Sequence, residues 1–359
     1  MEMSVYTLEK GIAACRSGDH PEAIRIFSKL ISNDQTNVDA LVNRGIVYSD
    51  TEQYGLALAD FNAAVSVQPC NAFIFFNRGI VHKRCGDFDK AFHDFDRAIS
   101  LDPLEGVFYV CRGECLLQQR RMDEAMNDLD RAILLCPDHV KALAARAAIF
   151  ESRGEFAKAV RDYTFALTIQ PDNYELLNDR GVVHERAGFI PEAIADYSAA
   201  LAINPRFSMG FANRSLAESK LQKFECAIAD YNIAITLDPC NEVLLMQRAL
   251  LRDYLGDAYA ALQDLNKAVA VNPRNSQLYY ERAEIYVKMD RLENALADYN
   301  KAIDLKEHPF YYNNRGFVRA ELGFYKEALE DYDKALLLDP GYTAAQQNRR
   351  IITDRIYRC

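Results

Sequence analysis

The chain has 359 residues, of which 50% are hydrophobic, 26% are charged, 16 are Gly and 11 are Pro. This composition predicts a folded chain and argues against a disordered or fibrous one. The formal net charge of −10 argues against a nucleic-acid binder, because phosphate binding needs clustered Lys and Arg. It favours neutral or basic partners.

The cellular compartment is inferred from what the sequence lacks. Residues 1–10 contain two glutamates and no long apolar run, unlike a secretory signal peptide. No apolar stretch approaches the roughly 18 residues that a membrane span needs. The nine cysteines are irregularly spaced, which indicates free thiols in a reducing compartment rather than a disulfide framework. We therefore expect a cytoplasmic protein without membrane insertion, although a nuclear or ciliary protein would have the same features.

A 34-residue repeat runs along nearly the whole chain. A proline recurs with this period, and so does an alanine, until the last interval of the alanine series shortens to 33 residues. The prolines are Pro69, Pro103, Pro137, Pro171, Pro205, Pro239 and Pro273. The alanines are Ala23, Ala57, Ala91, Ala125, Ala159, Ala193, Ala227, Ala261, Ala295 and Ala328. Four residues after each alanine stands an aromatic residue or Leu: Phe27, Phe61, Phe95, Leu129, Tyr163, Tyr197, Tyr231, Leu265, Tyr299 and Tyr332.

Each repeat is interpreted as two helices joined by a turn. A Gly, Ala or Ser in the first helix would let the second helix approach closely. The proline cannot continue the second helix, so the chain turns into the next repeat. One hairpin cannot bury its own apolar face, whereas a stack of hairpins builds a continuous core. Six of the turns contain a glycine able to take the left-handed conformation that ends a helix: Gly18, Gly86, Gly154, Gly188, Gly256 and Gly323.

This pattern resembles the tetratricopeptide repeat, which combines a small residue, an A-x3-F motif and a closing Pro within 34 residues. The resemblance covers residues 4–342 and implies an all-α, right-handed superhelical solenoid of about ten hairpins. We expect a single domain with repeats that start at residues 4, 38, 72, 106, 140, 174, 208, 242, 276 and 309. Residues 343–359 are predicted to form a C-terminal capping helix.

The departures from the pattern are local. In chain order, the first repeat lacks the aromatic residue (Thr7) and the closing proline (Gln35). The ninth repeat is one residue short, and Pro309 is expected to start the next helix. The final helix should cover the exposed end of the core. A basic docking tail is the alternative, because this segment carries Arg349, Arg350, Arg355 and Arg358.

A charged pair recurs in nine of the ten repeats. An arginine precedes the small residue of the first helix, and an aspartate precedes the aromatic residue of the second helix. The first repeat lacks both, with Lys10 and Ile26 in their places. We predict that each pair bridges the two antiparallel helices of its hairpin. An arginine ladder facing a ligand is the alternative. The predicted pairs include Arg78 with Asp94, Arg180 with Asp196 and Arg282 with Asp298.

In the tetratricopeptide family the first helices line a concave face that takes an extended peptide or a partner helix. On this face, position six of the repeat often carries an amide, which can donate to and accept from a peptide backbone. A similar asparagine ladder lines the groove of the O-linked N-acetylglucosamine transferase repeats. The alternative is that Asn is merely tolerated on an exposed helix face. The amides are Asn43, Asn77, Asn213, Gln247 and Asn314.

Apolar residues stand beside these amides on the same predicted face. Exposed apolar clusters rimmed by polar groups mark interaction sites. The alternative is that some of these side chains pack between neighbouring helices. The candidates are Phe73, Phe76, Ile80, Met246, Phe310 and Phe317.

The sequence contains no recognised catalytic motif: no Gly-rich phosphate loop, no H-E-x-x-H and no CxxC pair. Cys111 and Cys115 have no nearby His, so we expect no metal site. His82 and His184 are expected to be packed rather than catalytic. We predict a non-enzymatic protein-interaction scaffold or adaptor without a cofactor and without nucleic-acid partners. A substrate-recruiting or regulatory subunit of a multi-protein enzyme is the alternative, and self-association is a further possibility.

Overall fold

The structure is a computed structural model that describes residues 2–357, with side chains described for residues 7–356. Arg358 and Cys359 lie outside the described residues. All regular secondary structure within this range is α-helical, so the predicted fold class is confirmed. The chain forms two compact units, residues 1–187 and 188–359, and consecutive helices pack against each other within each unit.

The first unit contains eleven helices. They are α1 (Glu2–Arg16), α2 (His20–Asn33), α3 (Val38–Asp50), α4 (Tyr54–Val67), α5 (Ala72–Arg84), α6 (Phe88–Leu101), α7 (Gly106–Gln118), α8 (Met122–Leu135), α9 (Val140–Ser152), α10 (Phe156–Ile169) and α11 (Tyr174–Arg186).

The second unit contains ten helices. They are α12 (Ile190–Ile203), α13 (Ser208–Lys220), α14 (Phe224–Leu237), α15 (Glu242–Tyr254), α16 (Ala258–Val271), α17 (Ser276–Lys288), α18 (Leu292–Leu305), α19 (Pro309–Glu321), α20 (Tyr325–Leu338) and α21 (Thr343–Tyr357). No described helix combines the length and the apolarity that crossing a membrane would require.

In several hairpins the small residue of the first helix faces the bulky residue of the second helix. Phe95 is fully buried, and a Cβ atom added to Gly79 would lie 2.8 Å from its ring. The equivalent Gly113 faces Leu129, where an added Cβ would lie 3.5 Å from the nearest side-chain atom. At these two positions the phenylalanine ring leaves less room for a side chain on the first helix than the leucine does.

A left-handed residue closes the hairpin turns whether or not a glycine is present. The six predicted glycines have φ between 74° and 87°. At the equivalent position four other turns hold Glu52, Arg120, Gln222 and Asp290, with φ between 56° and 60°. The turn geometry is thus a property of the repeat, and glycine is only its least strained occupant.

The loop between α4 and α5 is capped at both ends. The backbone N–H of Gln68, the residue that follows α4, donates to the carbonyl of Ala64 at 2.9 Å. Asn71 caps α5 by accepting from the N–H of Phe73. In the ninth repeat the loop between α18 and α19 is one residue shorter than in the other repeats. Pro309 is the first residue of α19, as predicted. His308 caps that helix in place of an asparagine.

The last helix, α21, packs against α20 and α19. Ala345 and Ile352 are its buried residues, and Ile352 lies in a cluster with Tyr332 and Ala320. Arg349 donates to Asp333 at 2.5 Å. The helix therefore buries apolar surface against the last hairpin, as a cap would.

Candidate protein-interaction surface

An arginine–aspartate fork joins the two helices of the hairpins. Arg78 Nε and Nη2 donate to Asp94 Oδ2 and Oδ1 at 2.8 and 2.6 Å, and the Asp94 side chain is only 7% exposed. These hydrogen bonds raise the pKa of the guanidinium. The Arg180–Asp196 pair, whose residues belong to different units, stays a prediction. The same fork joins Arg44–Asp60, Arg112–Asp128, Arg146–Asp162, Arg214–Asp230, Arg248–Asp264, Arg282–Asp298 and Arg315–Asp331.

The same arginines also reach back to the preceding hairpin, a contact that sequence reasoning missed. Arg78 Nη1 donates to Asn62 on the previous second helix at 2.8 Å, and Arg112 Nη1 donates to Asp96 at 2.6 Å. All three nitrogens of Arg78 are thereby hydrogen-bonded within the protein, which favours a structural role. The sequence does contain a sign of this contact, because a residue with a short polar side chain directly follows the aromatic residue or Leu of every second helix. These residues are Ser28, Asn62, Asp96, Asp130, Thr164, Ser198, Asn232, Asn266, Asn300 and Asp333.

His82 lies beside one fork, with Nε2 3.9 Å from Asp94 Oδ2. Burial lowers its pKa, so the ring is neutral and packed at neutral pH. Cys111 and Cys115 are also buried, and loss of water raises the thiol pKa values to about 11 and about 12. Both thiols are protonated at neutral pH and behave as small apolar groups.

The amides at position six are half-buried and partly engaged by the protein itself. Asn43 and Asn77 donate to carbonyls one turn earlier in their own helices, Asp39 and Phe73, both at 2.7 Å. Asn314 instead donates to Glu284 Oε1 on the neighbouring first helix at 2.7 Å. Asn213 and Gln247 are half-buried as well.

The apolar candidates divide into two groups. Phe73, Phe310 and Phe317 are 52%, 49% and 42% exposed. Phe76 is half-buried, and its ring lies 5.9 Å from that of Phe95 and 5.0 Å from that of Phe108. Ile80 and Met246 are half-buried beside core clusters. These last three side chains therefore fill space between neighbouring helices, while the first three remain open to solvent.

We call the exposed sides of the first helices at positions two, six and nine the first-helix face. In the first unit it includes Phe73 and Asn77 of α5. Next to them lies a cavity of about 530 Å³, lined by apolar and charged side chains that include Ile80, Val107, Lys83 and Glu114. Lys83 Nζ binds Glu114 Oε2 at 2.5 Å. This part of the face thus mixes apolar walls with a charge pair that is already satisfied.

Comparison with known proteins agrees with this repeat architecture. Tetratricopeptide-repeat family models match residues 8–71, 276–309 and 309–342, and a model described as the ETO1 C-terminal domain matches residues 77–188. No curated protein sequence matches the chain.

Solved structures share the fold. A tetratricopeptide repeat protein from Parabacteroides merdae ATCC 43184 is 21% identical with a TM-score of 0.53, over 69% of this chain and 98% of its own. The C-terminal part of a TPR repeat-containing protein from Cytophaga hutchinsonii is 15% identical with a TM-score of 0.53, over 66% and 97%. The family matches identify the chain as a tetratricopeptide-repeat protein, and the shared folds agree with its helical hairpins.

Proposed function

We propose that the chain is a protein-interaction scaffold or adaptor whose first-helix face binds a peptide or helix of a partner protein. The observation that carries this proposal is the exposure of Phe73, Phe310 and Phe317 beside hydrogen-bonding amides on the same helix faces. Large apolar rings rimmed by polar groups are typical of interaction sites. In a multi-protein enzyme the same face would recruit a substrate, and the identity of the bound partner decides between these roles.

The test is affinity capture from a lysate of the source cells, with partners identified by mass spectrometry. One variant carries Phe73→Ser, Phe310→Ser and Phe317→Ser. The matched control carries Leu56→Ser, Leu134→Ser and Leu337→Ser, three leucines of second helices that are 50%, 70% and 72% exposed. Circular dichroism establishes that both variants are folded.

We expect partners of the wild type to be retained by the leucine variant and lost from the phenylalanine variant. Retention by the phenylalanine variant would reject the first-helix face as the binding site. The arginines of α21 would then be the next surface to change.

A further inference from the structure

Two first helices of the second unit join into one surface. Gln277, Glu281 and Glu284 lie on one side of α17, because residues three and four apart in a helix are neighbours. On α19, Asn314 lies four residues after Phe310 and three residues before Phe317, so these three side chains also share one side of their helix. Its Nδ2 donates to Glu284 Oε1 at 2.7 Å, so the two sides meet. We call this surface the acidic–aromatic face. It consists of Gln277, Glu281, Glu284, Phe310, Asn314 and Phe317.

Aromatic rings surround the polar part of this face. Tyr280 stacks on Tyr311 with ring centroids 5.0 Å apart, and Tyr299 donates its hydroxyl hydrogen to Glu284. Phe310 contacts Tyr342 edge-on at 5.0 Å while half of its surface stays exposed. Tyr299 and Tyr311 are buried, so the accessible part of Phe310 is what offers a partner apolar area and a π-face, which attract apolar groups and cations.

The negative charge of this face is incompletely compensated. Glu281 is half-buried, and loss of water, followed by the charges of Glu284 and Asp253, raises its pKa. The hydrogen bond that Gln277 donates to Glu281 and, more weakly, the charge of Lys288 oppose this shift. The Lys288 Nζ already binds Asp253 at 2.5 Å. The hydrogen-bond donor to Glu281 is therefore a neutral amide, and the lysine near it is bound to another carboxylate.

The first unit shows what the same repeat geometry does when a cation is supplied. Glu114, at position nine of its repeat, binds Lys83, at position twelve of the preceding repeat. In the second unit, Glu284 stands at position nine of its repeat, and position twelve of the preceding repeat is Asp253. An ammonium group thus meets the position-nine carboxylate in the first unit, and a carboxylate takes the place of that ammonium in the second.

We infer that the acidic–aromatic face binds a partner segment that carries a lysine or arginine next to apolar residues. The cation lies between Glu281 and Glu284, and the apolar side chains cover Phe310 and Phe317. This inference rests on the proposed function, because it assigns one class of peptide to one part of the first-helix face. The net charge of −10 adds a long-range attraction for such a segment.

The test uses the full chain and two fluorescein-labelled octapeptides, one alternating Leu and Lys and one alternating Leu and Glu. Fluorescence anisotropy gives the dissociation constants. The test variant is Glu281→Gln with Glu284→Gln, which keeps side-chain volume. The control is Glu327→Gln with Glu330→Gln, two exposed carboxylates of α20 with the same spacing and the same change in net charge.

We expect the lysine peptide to bind and the glutamate peptide not to bind. Loss of two charged hydrogen-bond acceptors should weaken the lysine peptide by roughly tenfold or more, whereas the control variant should stay within about twofold of the wild type. Phe310→Ser with Phe317→Ser should also weaken binding without loss of helix content, because neither ring belongs to the buried core.

Equal affinity of the wild type and the Glu281/Glu284 variant would overturn the inference. So would an equal loss in the control variant, which would show general attraction to an acidic chain. Either outcome, or no binding of the lysine peptide to the wild type, rejects the inference. The proposed function still stands if cellular partners are lost from the variant with Phe73→Ser, Phe310→Ser and Phe317→Ser.

Discussion

Glu281 combines partial burial with two like-charged neighbours, and this sets the sign of its effect on stability. Its pKa is raised above the ordinary value of 4.5, so the folded chain holds the proton more tightly than the unfolded chain does. The stabilising effect of protonation is present below the unfolded pKa and is lost as pH rises through the raised pKa. At neutral pH the charged carboxylate therefore lowers the free energy of unfolding.

Glu281→Gln should raise the free energy of unfolding at pH 7, and this gain should disappear in acid, below the ordinary carboxyl pKa. Urea denaturation at the two pH values measures the difference. Glu327→Gln, at an exposed site of α20, is the control and should change stability little at either pH. A destabilised Glu281→Gln protein at pH 7 would contradict this assignment.

Single residues also show where sequence reasoning stops. The period identifies Phe73 and Phe76 as neighbours on one predicted face, yet only Phe73 is largely exposed. The ring of Phe76 contacts Phe108 of the next repeat, and this contact depends on the size of a side chain 32 positions later in the sequence. A repeat pattern fixes the direction of a side chain but does not show how far the neighbouring hairpin covers it.

At the scale of the helix, the distance to the facing side chain decides whether a glycine of the first helix can be replaced by alanine. Gly79→Ala places a methyl group 2.8 Å from the buried Phe95 ring and should lower stability by about 1–3 kcal/mol. Gly113→Ala meets Leu129 at 3.5 Å and should raise stability by about 0.5–1 kcal/mol, because alanine is the better helix former. Urea denaturation of the two variants checks the opposite signs, and a loss of stability in both would contradict the steric account.

The helices themselves were largely predictable, since the small residue, the alanines and the prolines all report local geometry. The turns were only half predictable. Glycine marks six of them, but Gln222 and Arg120 adopt the same left-handed conformation, and nothing in their chemistry predicts this. The packing of the flanking helices imposes that conformation on whichever residue the sequence supplies there.

At the scale of the molecule, a guanidinium such as that of Arg146 serves two different interfaces, and these should differ in energy. Asp162→Ala leaves Arg146 without the partner that holds it within its hairpin, and we expect a loss of about 3 kcal/mol. Asp130→Ala removes only the contact to the preceding hairpin, in which Arg146 Nη1 lies 2.7 Å from Asp130 Oδ1. Because the Asp130 side chain is 54% exposed, this variant should lose no more than about 1 kcal/mol of stability.

Urea denaturation of the two aspartate variants measures these losses. Hydrogen exchange should place the effect of Asp162→Ala in α9 and α10. Equal losses in the two variants would mean that the contact between repeats is as strong as the fork within a hairpin.

The order and type of the helices follow from the 34-residue period, because a period reports what every repeat has in common. The candidate site was less accessible to sequence reasoning, because binding depends on how the repeats differ. Asp253 stands where Lys83 stands in an earlier repeat. The effect of that exchange on Glu281 and Glu284 appears only when the helices that bring these residues together are placed in space.

The contacts of the arginines also bear on how such a chain can change in length. Arg146 reaches Asp162 sixteen positions ahead and Asp130 sixteen positions behind. If recombination removed residues 106–139, Arg146 would stand sixteen positions after Asp96, an equivalent acceptor. A duplication of the same segment would likewise supply every new guanidinium with both of its partners. Gene rearrangements in steps of one period therefore preserve the bonding pattern, and even the 33-residue ninth repeat keeps it, because Arg315 Nη1 donates to Asn300 fifteen positions behind at 2.8 Å.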